Sequence, residues 1–212
     1  MKYSIFKLIY LITLTIFCCS VFLWSYASAV RESISQVKLF EMDRYSLQVE
    51  LDKGWAVRID RANQHLYFEE VKKELKSYRS IQVQEGDASK TFMGTHSEKW
   101  VADNYRRLEE SDMVVRGVQK GRYELQDLKK CELKVNGKYL YVMTYKQILK
   151  AQKLIGHGYL YLYFPPDFED SNKFYIFHYF YCHPNEENPD EVLQEFYLVI
   201  NGFSLKQENA KP

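Results

Sequence analysis

Cys131-Glu132-Leu133-Lys134-Val135-Asn136-Gly137-Lys138-Tyr139-Leu140-Tyr141-Val142-Met143-Thr144-Tyr145 is the stretch on which the fold turns. Asn-Gly suits the two central positions of a type I′ turn, where both residues take positive φ, and alternating runs flank it, so the segment reads as a β-hairpin. Its strands are predicted over 131–135 and 138–147. Further strands follow at 158–164 and 174–182, separated by the loop Pro165-Pro166-Asp167. Short turns between successive strands imply an antiparallel sheet.

The same alternation runs through three strands. One side carries Tyr139, Tyr141 and Tyr145, then Tyr159, Tyr161 and Tyr163, then Tyr175, Tyr179 and Tyr181. The other carries Leu140 and Val142, then Leu160, Leu162 and Phe164, then Ile176, Phe180 and Cys182. Strand side chains alternate in direction, so each triplet lies on one side of its strand, and register decides whether the triplets share a face. Two readings compete. Tyrosines pair well across strands, and a helix packed over them, with hydroxyls reaching the edge, makes them core. Alternatively, part of the face stays open and binds a protein, glycan or other flat partner through Tyr141, Tyr161, Tyr163 and Tyr179.

Helices are predicted on both sides of this block. Thr95-His96-Ser97-Glu98 has the S/T-x-x-E form of a capping box, in which hydroxyl and carboxylate each satisfy an unpaired backbone N–H. A helix from Thr95 would bury Trp100, Val101, Tyr105 and Leu108 and expose Lys99, Asp103, Arg106 and Arg107. Asn188-Pro189-Asp190-Glu191 starts a second helix: Asn caps, Pro suits the first position, and carboxylates favour the positive end of the dipole. Val192, Phe196, Val199, Ile200 and Phe203 give it an apolar stripe ending at Gly202.

Toward the N-terminus, Tyr45-Ser46-Leu47-Gln48-Val49-Glu50-Leu51 and Trp55-Ala56-Val57-Arg58-Ile59 alternate about the turn Asp52-Lys53-Gly54, which predicts a hairpin. Short strands are expected at 66–68 and 79–84, and a polar loop at 86–90. Residues 30–43 read as a polar lead-in, a stalk or a short helix, and 207–212 as a polar tail. The fold class is therefore α+β: one domain over 44–206, an antiparallel β-sheet packed with helices.

Ahead of it, Lys2 and Lys7 precede an uncharged run over 8–30, and Ala27-Ser28-Ala29 has the small-x-small form of a signal-peptidase site. That order is a secretory signal, which predicts an exported protein, periplasmic or extracellular. Residues 8–24 are nearly long enough to span a bilayer, so an uncleaved anchor tethering the domain is an alternative, as is lipidation at Cys18-Cys19. Residues 1–29 hold two of the 29 basic residues and none of the 28 acidic ones, leaving a net charge of −1 beyond them. Such a chain has no electrostatic case for nucleic acid.

Cys131 and Cys182 remain after cleavage, and in an oxidising compartment they are a candidate disulfide or two buried thiols. His178-Tyr179-Phe180-Tyr181-Cys182-His183 is the one dense constellation of chemical groups. His178, Cys182 and His183 offer a zinc site or a thiol enzyme as an alternative to pure binding, with no C-x-x-C or H-E-x-x-H to support it. Neither G-x-G-x-x-G nor a Walker loop is present, so no cofactor is predicted.

The order of these elements resembles the PsbP-like (PsbP/DcrB) α/β/α sandwich family over residues 44–205. The resemblance rests on Gly54-Trp55, Ser80-Ile81-Gln82-Val83, the helix from Ser97, Asn136-Gly137-Lys138 and Ile200-Asn201-Gly202-Phe203. It implies a small exported or lipid-anchored domain that binds other proteins and is not an enzyme. No residues match a manganese or calcium ligand set. The expectation is a non-catalytic exported domain that binds a protein or cell-envelope component.

Overall fold

The structure, a computed structural model, describes residues 36–51, 55–72, 77–135, 137–183 and 189–206. The leader, the Asp52-Lys53-Gly54 turn, the Asn188 cap and the 207–212 tail lie outside them. The chain divides into Met1–Gln36 with Glu50–Lys53, mostly undescribed, and Val37–Val49 with Gly54–Pro212, the folded domain. Among the described residues no helix is long and apolar enough to cross a membrane.

The elements run β1 (Gln36–Glu41), β2 (Tyr45–Leu51), β3 (Trp55–Asp60), β4 (His65–Lys72), β5 (Ser77–Asp87), α1 (Ala88–Phe92) and α2 (Glu98–Met113). A π-helical turn, Val114–Val118, follows α2. Then come β6 (Glu124–Val135), β7 (Lys138–Leu149), β8 (Leu154–Tyr163), α3 (Phe168–Ser171), β9 (Lys173–His183), α4 (Pro189–Gly202) and β10 (Phe203–Leu205). A seven-stranded sheet has the order β3-β4-β5-β9-β8-β7-β6, and a three-stranded sheet the order β1-β2-β10. Two antiparallel meanders, β3-β4-β5 and β6-β7-β8-β9, meet at the antiparallel β5–β9 seam. The predicted hairpin forms: Val135 pairs with Lys138, and Gly137 has φ +81. The fold is α+β, the class the sequence predicts.

Local partners differ from expectation in four places. β2 and β3 form no hairpin, because β2 lies between β1 and β10 while β3 pairs with β4. The Tyr45 ring packs 5.3 Å from Phe203, and Leu47 stands opposite that same residue, so burial and not chain proximity selects the partner of β2. Part of the expected lead-in is β1. The expected polar loop holds α1, capped by the Asp87 carboxylate, which accepts from the Lys90 amide at 3.2 Å. Ser97 and not Thr95 caps α2, accepting from the Trp100 amide at 3.4 Å. The buried face of α2 is turned accordingly: Val101, Ala102 and Arg106 are buried, whereas Trp100 and Leu108 are exposed. Trp100 stacks on His96 outside the core at 3.8 Å.

Both faces of the large sheet are packed. On one, the Tyr161 and Tyr179 rings meet Phe196 of α4 at 4.9 and 5.4 Å, and Phe177 meets Phe203 of β10 at 5.0 Å. On the other, Val101 and Ala102 of α2 join Tyr141, Met143, Tyr145, Leu160, Leu162 and Ile176 in one apolar cluster. Register separates the tyrosine triplets: Val142 stands opposite Tyr161, which puts Tyr141 and Tyr145 on the α2 side and the tyrosines of β8 and β9 on the α4 side. Tyr141, Tyr161 and Tyr179 are 6%, 2% and 0% exposed, and Tyr163 is half-buried. The open tyrosine face is thus corrected to two layers of core, each with a helix over it.

Candidate functional site

Three strands carry polar residues on the α2 side of the sheet, in phase with apolar residues on the other. Arg58 and Asp60 on β3, His65, Tyr67 and Glu69 on β4, and Ser80, Gln82 and Gln84 on β5 alternate with Val57, Leu66, Phe68, Ile81 and Val83. Directly opposed residues of antiparallel strands share a face. Register therefore lines up Arg58, Tyr67, Gln82 and His178 in one row, and Asp60, His65, Gln84 and Ile176 in the next. The apolar packing beneath α2 gives way here to a cleft.

Its inner part, ≈ 120 Å³, lies between Gln82, Gln84, His178 and Ile176 of the sheet and Tyr105 and Glu109 of α2. Its outer part, ≈ 520 Å³, is lined by Arg58, Ile59, Asp60, His65, Tyr67 and Gln82. Gln82 lines both, and His65 of the outer part stands directly opposite Gln84 of the inner part, so the two parts adjoin.

Most groups here have partners. The Arg58 guanidinium lies 4.3 Å over the Tyr67 ring, and the Tyr67 and Tyr78 hydroxyls are hydrogen-bonded at 2.7 Å. Asp60 accepts from the backbone and side-chain amides of Asn63. The Tyr145 hydroxyl and His178 Nε2 are hydrogen-bonded at 2.8 Å. Gly158 makes that contact possible, since a Cβ there would run into the Tyr145 ring. Three groups differ. Among the described residues the half-buried carboxamides of Gln82 and Gln84 have no hydrogen-bond partner. His65 Nε2 is enclosed and likewise unpaired. His65 Nε2 is a buried exception to the rule that enclosed polar groups are satisfied, while the half-buried Gln82 and Gln84 carboxamides open onto the cleft and offer it donors and acceptors.

Burial sets the charge of the cleft. It lowers His178 to about 4 and lowers His65, leaving both rings neutral at neutral pH. Burial raises the Glu109 carboxyl, against the opposing effect of a hydrogen bond from Tyr105. His178 has a testable consequence for stability. Its folded value lies below its ordinary 6.5, so protons bind the unfolded chain first as the pH falls. The stability it allows is full above pH 6.5 and is lost progressively toward pH 4, by at most about 3 kcal/mol. Denaturant titrations at neutral pH and near pH 5 should show this loss, and His178→Gln should flatten it. An unchanged slope in the variant would assign the acid limb to other groups.

The sequence-predicted chemical groups do not converge. Cys131 on β6 and Cys182 on β9 are both free: β7 and β8 put them about 14 Å apart across the sheet at ordinary strand spacing, and the row of Cys131 meets β9 at Phe177, five residues from Cys182. The candidate disulfide is therefore corrected to two thiols, one exposed and one buried. Burial pushes the Cys182 thiol up to about 11, which suits it poorly as a nucleophile. His178 and Cys182 share a face, but His183 is one residue out of phase and stacks on Tyr181 on the other side. Among the described residues no group of three His, Cys, Asp or Glu side chains is placed to hold a metal ion. Only His178 of the predicted constellation reaches the cleft. Gln82, Gln84, His65, Tyr67 and Glu109 were not singled out by sequence reasoning, although the alternation Ser80-Ile81-Gln82-Val83-Gln84 was visible in it.

No protein-family model and no curated protein matches this sequence. Among solved structures, the chain is similar to cyanobacterial PsbP (CyanoP) from Synechocystis sp. PCC 6803, determined in solution. The match has a TM-score of 0.50 at 14% identity and covers 82% of this chain and 95% of that one. At that identity the likeness concerns fold alone, and it supports the PsbP-like architecture expected from the sequence.

Proposed function

We propose that this chain is an exported, non-catalytic domain that binds a protein or cell-envelope component through the cleft centred on Gln82. The observation that carries the reading is the pair of half-buried carboxamides, Gln82 and Gln84, which have no hydrogen-bond partner among the described residues and stand together in the cleft. Of the four tyrosines the sequence offers for this role, Tyr141, Tyr161 and Tyr179 are core and Tyr163 is half-buried. Two features favour binding over chemistry: His178 stays neutral far below neutral pH and is a weak general base there, and the Cys182 thiol is buried. Export is supported by the Lys2, Lys7 and Ala27-Ser28-Ala29 pattern and by the PsbP-like fold. The location is periplasmic or extracellular, either free or tethered through residues 8–24.

A photocrosslinking residue placed at Gln82 in the native host tests this, with one at the exposed Leu198 of α4 as control. The expected result is a discrete adduct from position 82 and none from 198. No adduct at 82, or the same adducts at both positions, would contradict a binding role for the cleft.

A further inference from the structure

Resting on the binding role of the cleft, we infer that its ligand is an uncharged saccharide, held by the Gln82 and Gln84 carboxamides. Each carboxamide presents donors and an acceptor side by side, which adjacent hydroxyls of a sugar ring match with an acceptor and a donor of their own. The two lie on one face of β5 two residues apart, about 7 Å along the strand. Hydroxyls suit both, because each can donate or accept by rotating.

Charge narrows the class further. Among the described residues Arg58 is the one cation lining the cleft; Asp60 beside it and Glu69 at 3.9 Å offset it, and Glu109, whose carboxyl burial raises toward the neutral form, lines the inner part. An anionic ligand would meet Asp60, Glu69 and Glu109, and a cationic one Arg58, whereas a neutral polar ligand opposes none of them. Ile176 and the Tyr105 ring supply apolar wall for the C–H surface that a sugar presents between its hydroxyls. An extended peptide is the weaker fit. Sheets capture peptides by backbone pairing along an edge strand, but Gln82 and Gln84 stand on β5, third in from the edge strand β3. The unmet groups are side chains in the middle of a sheet face.

The test follows the side-chain amide proton resonances of Gln82 and Gln84 in the full-length protein purified from its host. Maltotetraose, cellotetraose and the tetramer of N-acetylglucosamine are the probes, followed by a host envelope extract. Saturable shifts with at least one oligosaccharide are expected, with affinity weakened about tenfold in Gln82→Leu and again in Gln84→Leu. Native amide dispersion in the variants separates that loss from misfolding. Glycosidase digestion, or periodate where the sugars carry vicinal diols, should abolish the effect of the extract, and protease should leave it intact. No shift with any oligosaccharide, together with an extract that resists both glycosidases and periodate and loses its effect to protease, would overturn the saccharide while leaving the binding role standing. No shift from either source would overturn both.

Discussion

Phe196→Ala should lower the stability of the folded domain by about 3–5 kcal/mol, the cost of emptying a phenylalanine site in a close-packed core. Phe196 is fully buried and stands between the Tyr161 and Tyr179 rings, nearly parallel to the second at an interplanar angle of 15°. It is the contact through which α4 closes the tyrosine layer of β8 and β9. Removing it leaves a cavity walled by rings whose positions are fixed by the sheet, so little collapse can relieve the loss. Urea denaturation should show a lower midpoint at an unchanged slope. A change below about 1 kcal/mol would mean that α4 does not seal that face.

Arg106→Met should cost about 2–4 kcal/mol, from the loss of two charged-donor hydrogen bonds to carbonyls that stay under the helix. Arg106 is 4% exposed although it lies on a helix whose charges were expected to face water. Its Nη1 donates to the Cys131 carbonyl at 3.1 Å and to the Val142 carbonyl at 3.0 Å, which bolts α2 to the opposed β6–β7 pair. Methionine keeps much of the apolar stem that packs beneath the helix and removes the donors. The Asp103 partner is partly exposed, so the ion pair itself adds little. Denaturant unfolding would measure the cost, and faster amide exchange in β6 and β7 would locate it. A variant as stable as the native protein would show that water replaces the guanidinium without loss.

The strands were legible wherever a two-residue period ran long enough, and the Asn136-Gly137 hairpin was read correctly because its turn chemistry is local. What remained hidden depends on partners distant in sequence. Tyr141 and Tyr161 have the same alternation, yet register sends them to opposite faces, because Tyr161 stands opposite Val142. The polarity of Arg106 predicted exposure, and only the two carbonyls awaiting it explain its burial. The pairing of Tyr45 and Leu47 with β10 overrode a nearby turn signal.

The candidate site was hidden for the same reason. The alternation of Gln82 and Gln84 with Val83 is plain in β5, and on its own it describes any half-exposed strand. The row Arg58, Tyr67, Gln82 and His178 exists only because the two meanders join at the β5–β9 seam. His178 stood out in the sequence for its nearness to Cys182 and His183. Its partner in the fold is Tyr145, on a strand separated from β9 by β8.

The most direct measurement for the cleft is the response of the Gln82 and Gln84 side-chain amide signals when the purified protein meets an extract of its own host's envelope. The account predicts that these signals and the His65 ring shift or broaden while Leu198 on α4 stays unchanged. Undisturbed Gln82 and Gln84 signals, with changes centred on α4 or absent altogether, would contradict it.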